Sequence, residues 1–213
     1  MAIVYETGKM TALMNTDDII NEAVAVATSA MGSENSAWFK TWKKVYRDKF
    51  DLYCVMARDD AASNKLVGTF GFGDISQYQI LTRDRYPWVN TLRDAIIAKG
   101  IDEAKVDAAS AIYVHADYTG QNIATTMMGK RATYQLARGI THAVSFAYES
   151  TDIKNWSAGR TSAEEMGTDG DGNKIYFFDL NQLIMLCGLF LKLKICLAHL
   201  VGVFTNIEYL IYL

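Results

Sequence analysis

The chain has 213 residues, half of them apolar and 21% charged, with a formal net charge of −3. This length suffices for one sizeable domain with its own core, and the mildly acidic balance gives no basic face for nucleic acid. One proline, Pro87, argues against a linker-rich chain. Cys54, Cys187 and Cys196 are odd in number and widely spaced. They suit a reducing compartment, the cytoplasm, better than a disulfide framework, and no Cys/His spacing points to a metal.

In chain order, Ile3–Tyr5 reads as a first strand, and Glu6 interrupts the N-terminus before any apolar run resembling a secretory signal develops. Asn15, Thr16 and Asp17 offer N-cap chemistry, and Ile19, Ile20, Ala23, Val24 and Ala27 follow at helical spacing up to Gly32. A second helix is expected over Ser36–Phe50, with Trp38, Phe39, Trp42 and Val45 inward. Leu52–Ala57 reads as a strand, Asp59–Asn64 as a polar turn, and Lys65–Gly73 as the strand that pairs back. Between Asp74 and Asp107 lies an insertion carrying Tyr78, Tyr86 and Trp88, then a helix around Val89–Lys99 ended by Gly100. Its aromatics suit packing onto a sheet or the border of a ligand pocket.

The most informative stretch begins at Ala111. Ile112, Tyr113 and Val114 end a strand, Asp117–Gln121 make a turn, and Ile123, Ala124, Met127, Met128, Ala132 and Leu136 recur on one helical face. Such a unit aims free backbone amides and the positive end of a helix dipole at whatever lies beside the loop, which suits a phosphate. A plain strand–turn–helix without a ligand has the same outline.

The run from Val114 to Ala124, VHADYTGQNIA, resembles the first motif of the GNAT superfamily of N-acetyltransferases, commonly V-H-P-x-Y-R-G-K-G-I-A. Gly120, Ile123 and Ala124 agree, whereas Thr119 replaces an Arg or Gln and Asn122 a Gly. Thr119 removes a charge-assisted contact, while Asn tolerates unusual backbone angles better than most residues. The resemblance implies that Tyr113, Val114, Thr119, Gly120, Gln121, Asn122, Ile123 and Ala124 border the pyrophosphate and pantetheine of acetyl-CoA. It also implies that amides of Tyr113 and Val114 stabilise the oxyanion of acetyl transfer.

Downstream, Thr141–Tyr148 reads as a buried strand, Ser150–Met166 as a helix and Ile175–Leu180 as a strand. In this resemblance Glu164-Glu165-Met166-Gly167 stands for the E-K-L-G that closes the family's second-motif helix, and Asn155 falls near an Asn used against the coenzyme. Ala163 occupies the place of the tyrosine that often protonates the departing thiolate. The arylalkylamine N-acetyltransferase branch looks nearest in element layout. Its catalytic Glu implies Glu34 as base, and its serines imply Ser150 and Ser157. All three also suit helix-terminal charge or capping.

His115 ends the key strand but reads as structural, and His142 and His199 have no metal spacing. Asp169-Gly-Asp-Gly-Asn173 begins like a calcium loop, yet its sixth and twelfth places hold Lys174 and Leu180, so a hairpin turn is expected. Leu183–Val203 is long enough to span a bilayer. Its twelve Leu, Ile, Phe and Val residues would gain about 4–7 kcal/mol, and central Lys192 and Lys194 would cost about 5–7. A membrane anchor is therefore unsupported, and a final strand, a covering helix or a partner surface remain open.

The expected fold is α/β in an α+β layout: a GNAT-like mixed, mostly antiparallel sheet flanked by helices over residues 1–180, followed by a hydrophobic tail at 181–213. The resemblance implies acetyl-CoA as co-substrate, no metal, and direct transfer to a small primary amine, an aromatic one being a candidate. A non-catalytic acyl-CoA-binding or partner-binding module is the alternative. The expected location is cytoplasmic, or membrane-associated if the tail anchors.

Overall fold

The computed structural model describes residues 2–31, 52–75, 93–94, 96–147, 163–168 and 174–182. In chain order these form β1 (Ile3–Lys9), α1 (Met10–Leu13), α2 (Asp17–Met31), β2 (Tyr53–Asp59), β3 (Lys65–Asp74), β4 (Val106–Val114), α3 (Ile123–Ala137), β5 (His142–Ala147), β6 (Ala163–Thr168) and β7 (Lys174–Asp179). The strands make one seven-stranded sheet in the order β1-β2-β3-β4-β5-β7-β6. Every neighbouring pair is antiparallel except β4–β5. The helix expected at Ser36–Phe50, residues 89–92 and 95 of the one expected around Val89–Lys99, and the turn at 169–173 lie outside the described residues; residues 93–94 and 96–98 are helical, and Gly100 follows at φ 71°.

Alternation along the strands divides the core in two. On β2, Cys54 and Met56 join Ile20, Ala23, Val26 and Ala27 of α2 on one face. Tyr53, Val55 and Ala57 join Phe70, Phe72, Ile123 and Met127 under α3 on the other. A sheet buried on both faces explains why β2 and β3 read as nearly continuous apolar runs. The expected cap of α2 is present: Ile19 N–H donates to Thr16 Oγ1 at 3.3 Å.

Gly68 lets α3 lie close to β3. A Cβ there would meet Met127 Cε at 3.0 Å, Ile123 Cγ2 at 3.1 Å and Ala57 Cβ at 3.2 Å.

Two expectations change. Strand β4 begins at Val106, well before the apolar end at Ile112 that marks it in the sequence. It carries Asp107 fully buried, which strand patterning disfavours unless a partner neutralises the carboxylate. The expected helix Ser150–Met166 does not run to its end, because Ala163–Thr168 is strand β6, paired with β7 from Ala163↔Phe178 to Thr168↔Lys174. Ala, Glu and Met favour helices intrinsically, but cross-strand pairing to β7 overrides that preference. The pairing shifts register between Glu165 and Gly167, and Gly167 takes φ 127°, which a side chain would resist. Exposed Glu164 and Glu165 suit a strand at the rim of a sheet. Counting back from Gly167 along a helix therefore no longer equates Ala163 with the family's tyrosine.

Candidate functional site

The site is built where β4 parts from β5. Their parallel pairing is limited to Val106↔His142, Asp107↔Ala143 and Ala108↔Val144. Beyond it, β4 stays with β3 to Val114, while β5 follows β7 to Ala147. The two middle strands thus open a groove along the second half of β4. Between Phe70↔Ile112 and Phe72↔Ala109, β4 carries one residue more than β3, a bulge that turns the strand at this point.

Backbone direction in the groove follows from one bond. His115 N–H donates to Val67 O at 2.9 Å, flanking the pair Gly68↔Val114. Amides alternate sides along a strand, so the Tyr113 amide points to β3 and those of Val114 and Ile112 point into the groove. The sequence had joined Tyr113 with Val114; the geometry separates them. The Tyr113 side chain packs under α2.

After Val114 the chain crosses the end of the sheet. His115 accepts from Asp117 N–H through Nδ1 at 3.3 Å, and Ala116–Tyr118 make a single 3-10 turn. Thr119 closes it, with its hydroxyl donating to Ala116 O at 2.9 Å. Gly120 at φ 77° and Asn122 at φ 62° then reverse the backbone into α3. The left-handed region suits glycine, and asparagine is among the few other residues that enter it readily.

Thr126 N–H bonds to Asn122 O at 2.9 Å. The amides of a helix's first turn have no acceptor within it. Among the described residues, no group takes the amides of Gly120, Gln121, Ile123, Ala124 and Thr125. Thr119, Gly120 and Gln121 are exposed, while Ile123 is buried in the α3 core and contributes its amide only. These donors, with the positive end of a fifteen-residue helix behind them, fit an anion of phosphate type.

The helix is anchored by a polar chain, buried at Asp107, Arg131 and Gln135, that sequence patterning does not show. Arg131 holds Asp107 through two bonds of 2.8 and 2.6 Å, and Gln135 donates to the same carboxylate at 2.9 Å. Arg138 donates to Gln135 Oε1 at 2.6 Å and reaches both Asp74 oxygens at 3.2 Å. Its guanidinium lies 3.9 Å from the Tyr53 ring centre. Burial opposes its charge, yet the bond and attraction to Asp74 leave its pKa raised. The clue was two polar residues, Arg131 and Gln135, one helical turn apart on an otherwise apolar face.

A half-open cavity of about 390 Å³ lies between α2 and the β2–β3 turn, bordered by Glu22, Val26, Ser63, Lys65, Leu66 and His115. It is on the β3 side of β4, away from the groove. Glu34, Ser150, Asn155 and Ser157 lie outside the described residues. Among the described residues, no cluster of His, Cys, Asp or Glu could hold a metal. Nor is any helix there long and apolar enough to cross a membrane.

The mixed sheet, parted at β4 and β5 with a helix rising from the loop after β4, is the GNAT N-acetyltransferase fold. Neither a family model nor any curated protein matches the sequence. Among solved structures, the chain resembles the PaiA N-acetyltransferase of Thermoplasma acidophilum in complex with coenzyme A, at TM-score 0.51 and 14% identity over 84% of this chain and 99% of that one. It resembles a mosquito arylalkylamine N-acetyltransferase-like protein, 5b, at 0.52 and 14% over 83% and 99%. It also resembles the ribosomal-protein-S18-alanine N-acetyltransferase of Escherichia coli, at 0.52 and 11% over 84% and 94%. Identities this low establish a shared fold.

Proposed function

We propose that the chain is an acetyl-CoA-dependent N-acetyltransferase that transfers directly to a small primary amine. The supporting observation is that the amides of Gly120, Gln121, Ile123, Ala124 and Thr125 have no acceptors among the described residues, at the head of α3 beside the β4–β5 groove. The Thermoplasma structure of the same fold is a coenzyme A complex. The loop amides would hold the diphosphate, and the open edge of β4 would receive the pantetheine arm.

The coenzyme supplies a thioester whose carbonyl carbon is attacked by the amine. Val114 N–H, and Ile112 N–H one step further in, are the donors aimed where negative charge would develop on that carbonyl oxygen. The amine must be neutral to attack, so a base is required, and Glu34 is our candidate. Ser150 and Ser157 are candidates for proton handling, and Asn155 for a coenzyme contact. An aromatic amine is the acceptor class we favour, because the resemblance in element layout is to the arylalkylamine branch. A reducing cytoplasm is the location we favour, in keeping with three cysteines that are odd in number and widely spaced.

The test is calorimetry of the full chain with acetyl-CoA, followed by thiol release with a panel of arylalkyl and alkyl amines. Binding that Gly120→Trp abolishes, with amine-dependent thiol release, is the expected result. Tight binding without thiol release would make the chain an acyl-CoA-binding module, and absence of binding would remove the coenzyme altogether.

A further inference from the structure

The loop that leads into α3 is pinned on both faces of the sheet by bonds within the chain. On the α2 face, Ala116 N–H donates to Ser29 Oγ at 3.0 Å. On the α3 face, the Tyr118 hydroxyl donates to Asp59 Oδ2 at 2.9 Å. Asp59 is itself held, since its other oxygen caps the β2–β3 turn by accepting from Ala61 N–H at 3.1 Å, and only 4% of the residue is exposed. The Tyr118 ring is also engaged: His115 meets it edge-on at 6.0 Å, and the Lys65 ammonium lies 5.9 Å from its centre. Tyr118 is two residues before Gly120, where the backbone turns into α3.

We propose that Tyr118 and Asp59 are a positioning pair that pre-organises the diphosphate loop by tying it to the β2–β3 hairpin. The inference rests on the coenzyme reading above. Neither side chain touches the reacting atoms. A loop already fixed in its binding geometry has less freedom to lose when an anion docks, so the pair acts on coenzyme affinity rather than on chemistry. Ser29 fixes the preceding residue pair from the other side, which leaves Tyr118 to set the direction in which Gly120 and Asn122 enter the helix.

The experiment compares wild type, Tyr118→Phe, Asp59→Ala, the double variant and Asp59→Asn, all as full chains. Tyr118→Phe removes one oxygen and should weaken binding of coenzyme A by about fivefold, the effect of a single neutral hydrogen bond or slightly more. It should raise KM for acetyl-CoA with kcat at saturation unchanged, and speed exchange of the hydrogen-bonded amides of Ala116, Asp117, Tyr118 and Thr119 with only a small fall in the global unfolding midpoint. Asp59→Ala should lose as much, and the double variant no more than either. Asp59→Asn can still bond Ala61 N–H and the tyrosine hydroxyl, and should stay within about twofold of wild type. Wild-type affinity and exchange in Tyr118→Phe, additive losses in the double variant, or a fall in kcat alone would overturn the proposal while leaving the coenzyme reading intact. A wild-type chain that binds no coenzyme A would overturn both.

Discussion

Asp107 and Arg131 form a two-bond ion pair with the guanidinium 3% and the carboxylate 0% exposed. It joins the middle of α3 to β4 one residue before the parallel ladder with β5 ends. The pair thus fixes the helix at the root of the groove, and the rings of Phe70 and Phe72, 5.2 and 6.0 Å from the guanidinium, close it from water. Removing one member leaves a buried charge without its partner. Arg131→Met should therefore cost about 3–5 kcal/mol of stability. Asp107→Leu combined with Arg131→Met should recover part of that loss, since no charge is then stranded, although the Gln135 side-chain amide loses its acceptor. Urea unfolding with an unchanged slope measures both, and a single-variant loss under about 1 kcal/mol would show water entering at Asp107.

The contact at Gly68 predicts a different kind of loss. All three neighbours of an added Cβ lie within 3.0–3.2 Å, and two of them belong to α3. The Met127 terminus can swing aside, but Ile123 opens the helix and Ala57 is in the adjacent strand. Gly68→Ala should destabilise by about 1–3 kcal/mol through overpacking. Because relief requires moving the first turn of α3, coenzyme affinity should fall as well. A stable variant with normal affinity would mean that Met127 alone absorbs the added methyl.

The elements that the sequence shows best are those whose signal is local. The α2 periodicity, the β2–β3 hairpin and the VHADYTGQNIA turn carry their own spacing and turn residues, and each recurs in the fold. Strand β4 was legible only at its apolar end, because Asp107 breaks the pattern and its partner is 24 residues away on a helix. Strand β6 was hidden for the opposite reason: its residues are helix formers, and only pairing with β7 makes them a strand. In the site, the loop and helix start were legible. The division of labour between the Tyr113 and Val114 amides needs strand register, and the bond between Tyr118 and Asp59 links residues 59 apart. No one-dimensional pattern encodes either.

Alkaline titration follows from the same tyrosine. The bond to Asp59 is the largest cause of a raised Tyr118 pKa, with desolvation and the negative charges of Asp59 and Asp117 adding to it, from an ordinary value of 10.0. A raised value means that the folded chain holds this proton more tightly than the unfolded one. The stabilising contribution is therefore complete below pH 10.0 and disappears as pH rises through the folded value. Tyr5 moves in the same direction, chiefly through burial, against which its hydrogen bond to Thr126 works. Phenolate absorbance should show one late-titrating tyrosine fewer in Tyr118→Phe than in wild type. A Tyr118 that ionises at or below pH 10.0 would contradict the hydrogen bond to Asp59.

Thr119 offers the most direct test of the loop's electrostatics. It is exposed, adjoins Gly120, and occupies the place where the GNAT motif prefers Arg or Gln. Its hydroxyl now bonds Ala116 O within the loop at 2.9 Å. Thr119→Arg sacrifices that neutral bond, about 0.5–1.5 kcal/mol, for a charge-assisted bond to a phosphate of about 1.5–3 kcal/mol. The net change should be a tightening of coenzyme A binding by about 1 kcal/mol, close to fivefold, with a steeper salt dependence. Thr119→Gln separates the two terms, since it loses the same loop bond without adding charge and should bind no tighter than wild type. If Thr119→Arg weakens binding at low salt, the amides of this loop are not aimed at a diphosphate, and the groove between β4 and β5 must be assigned a different ligand.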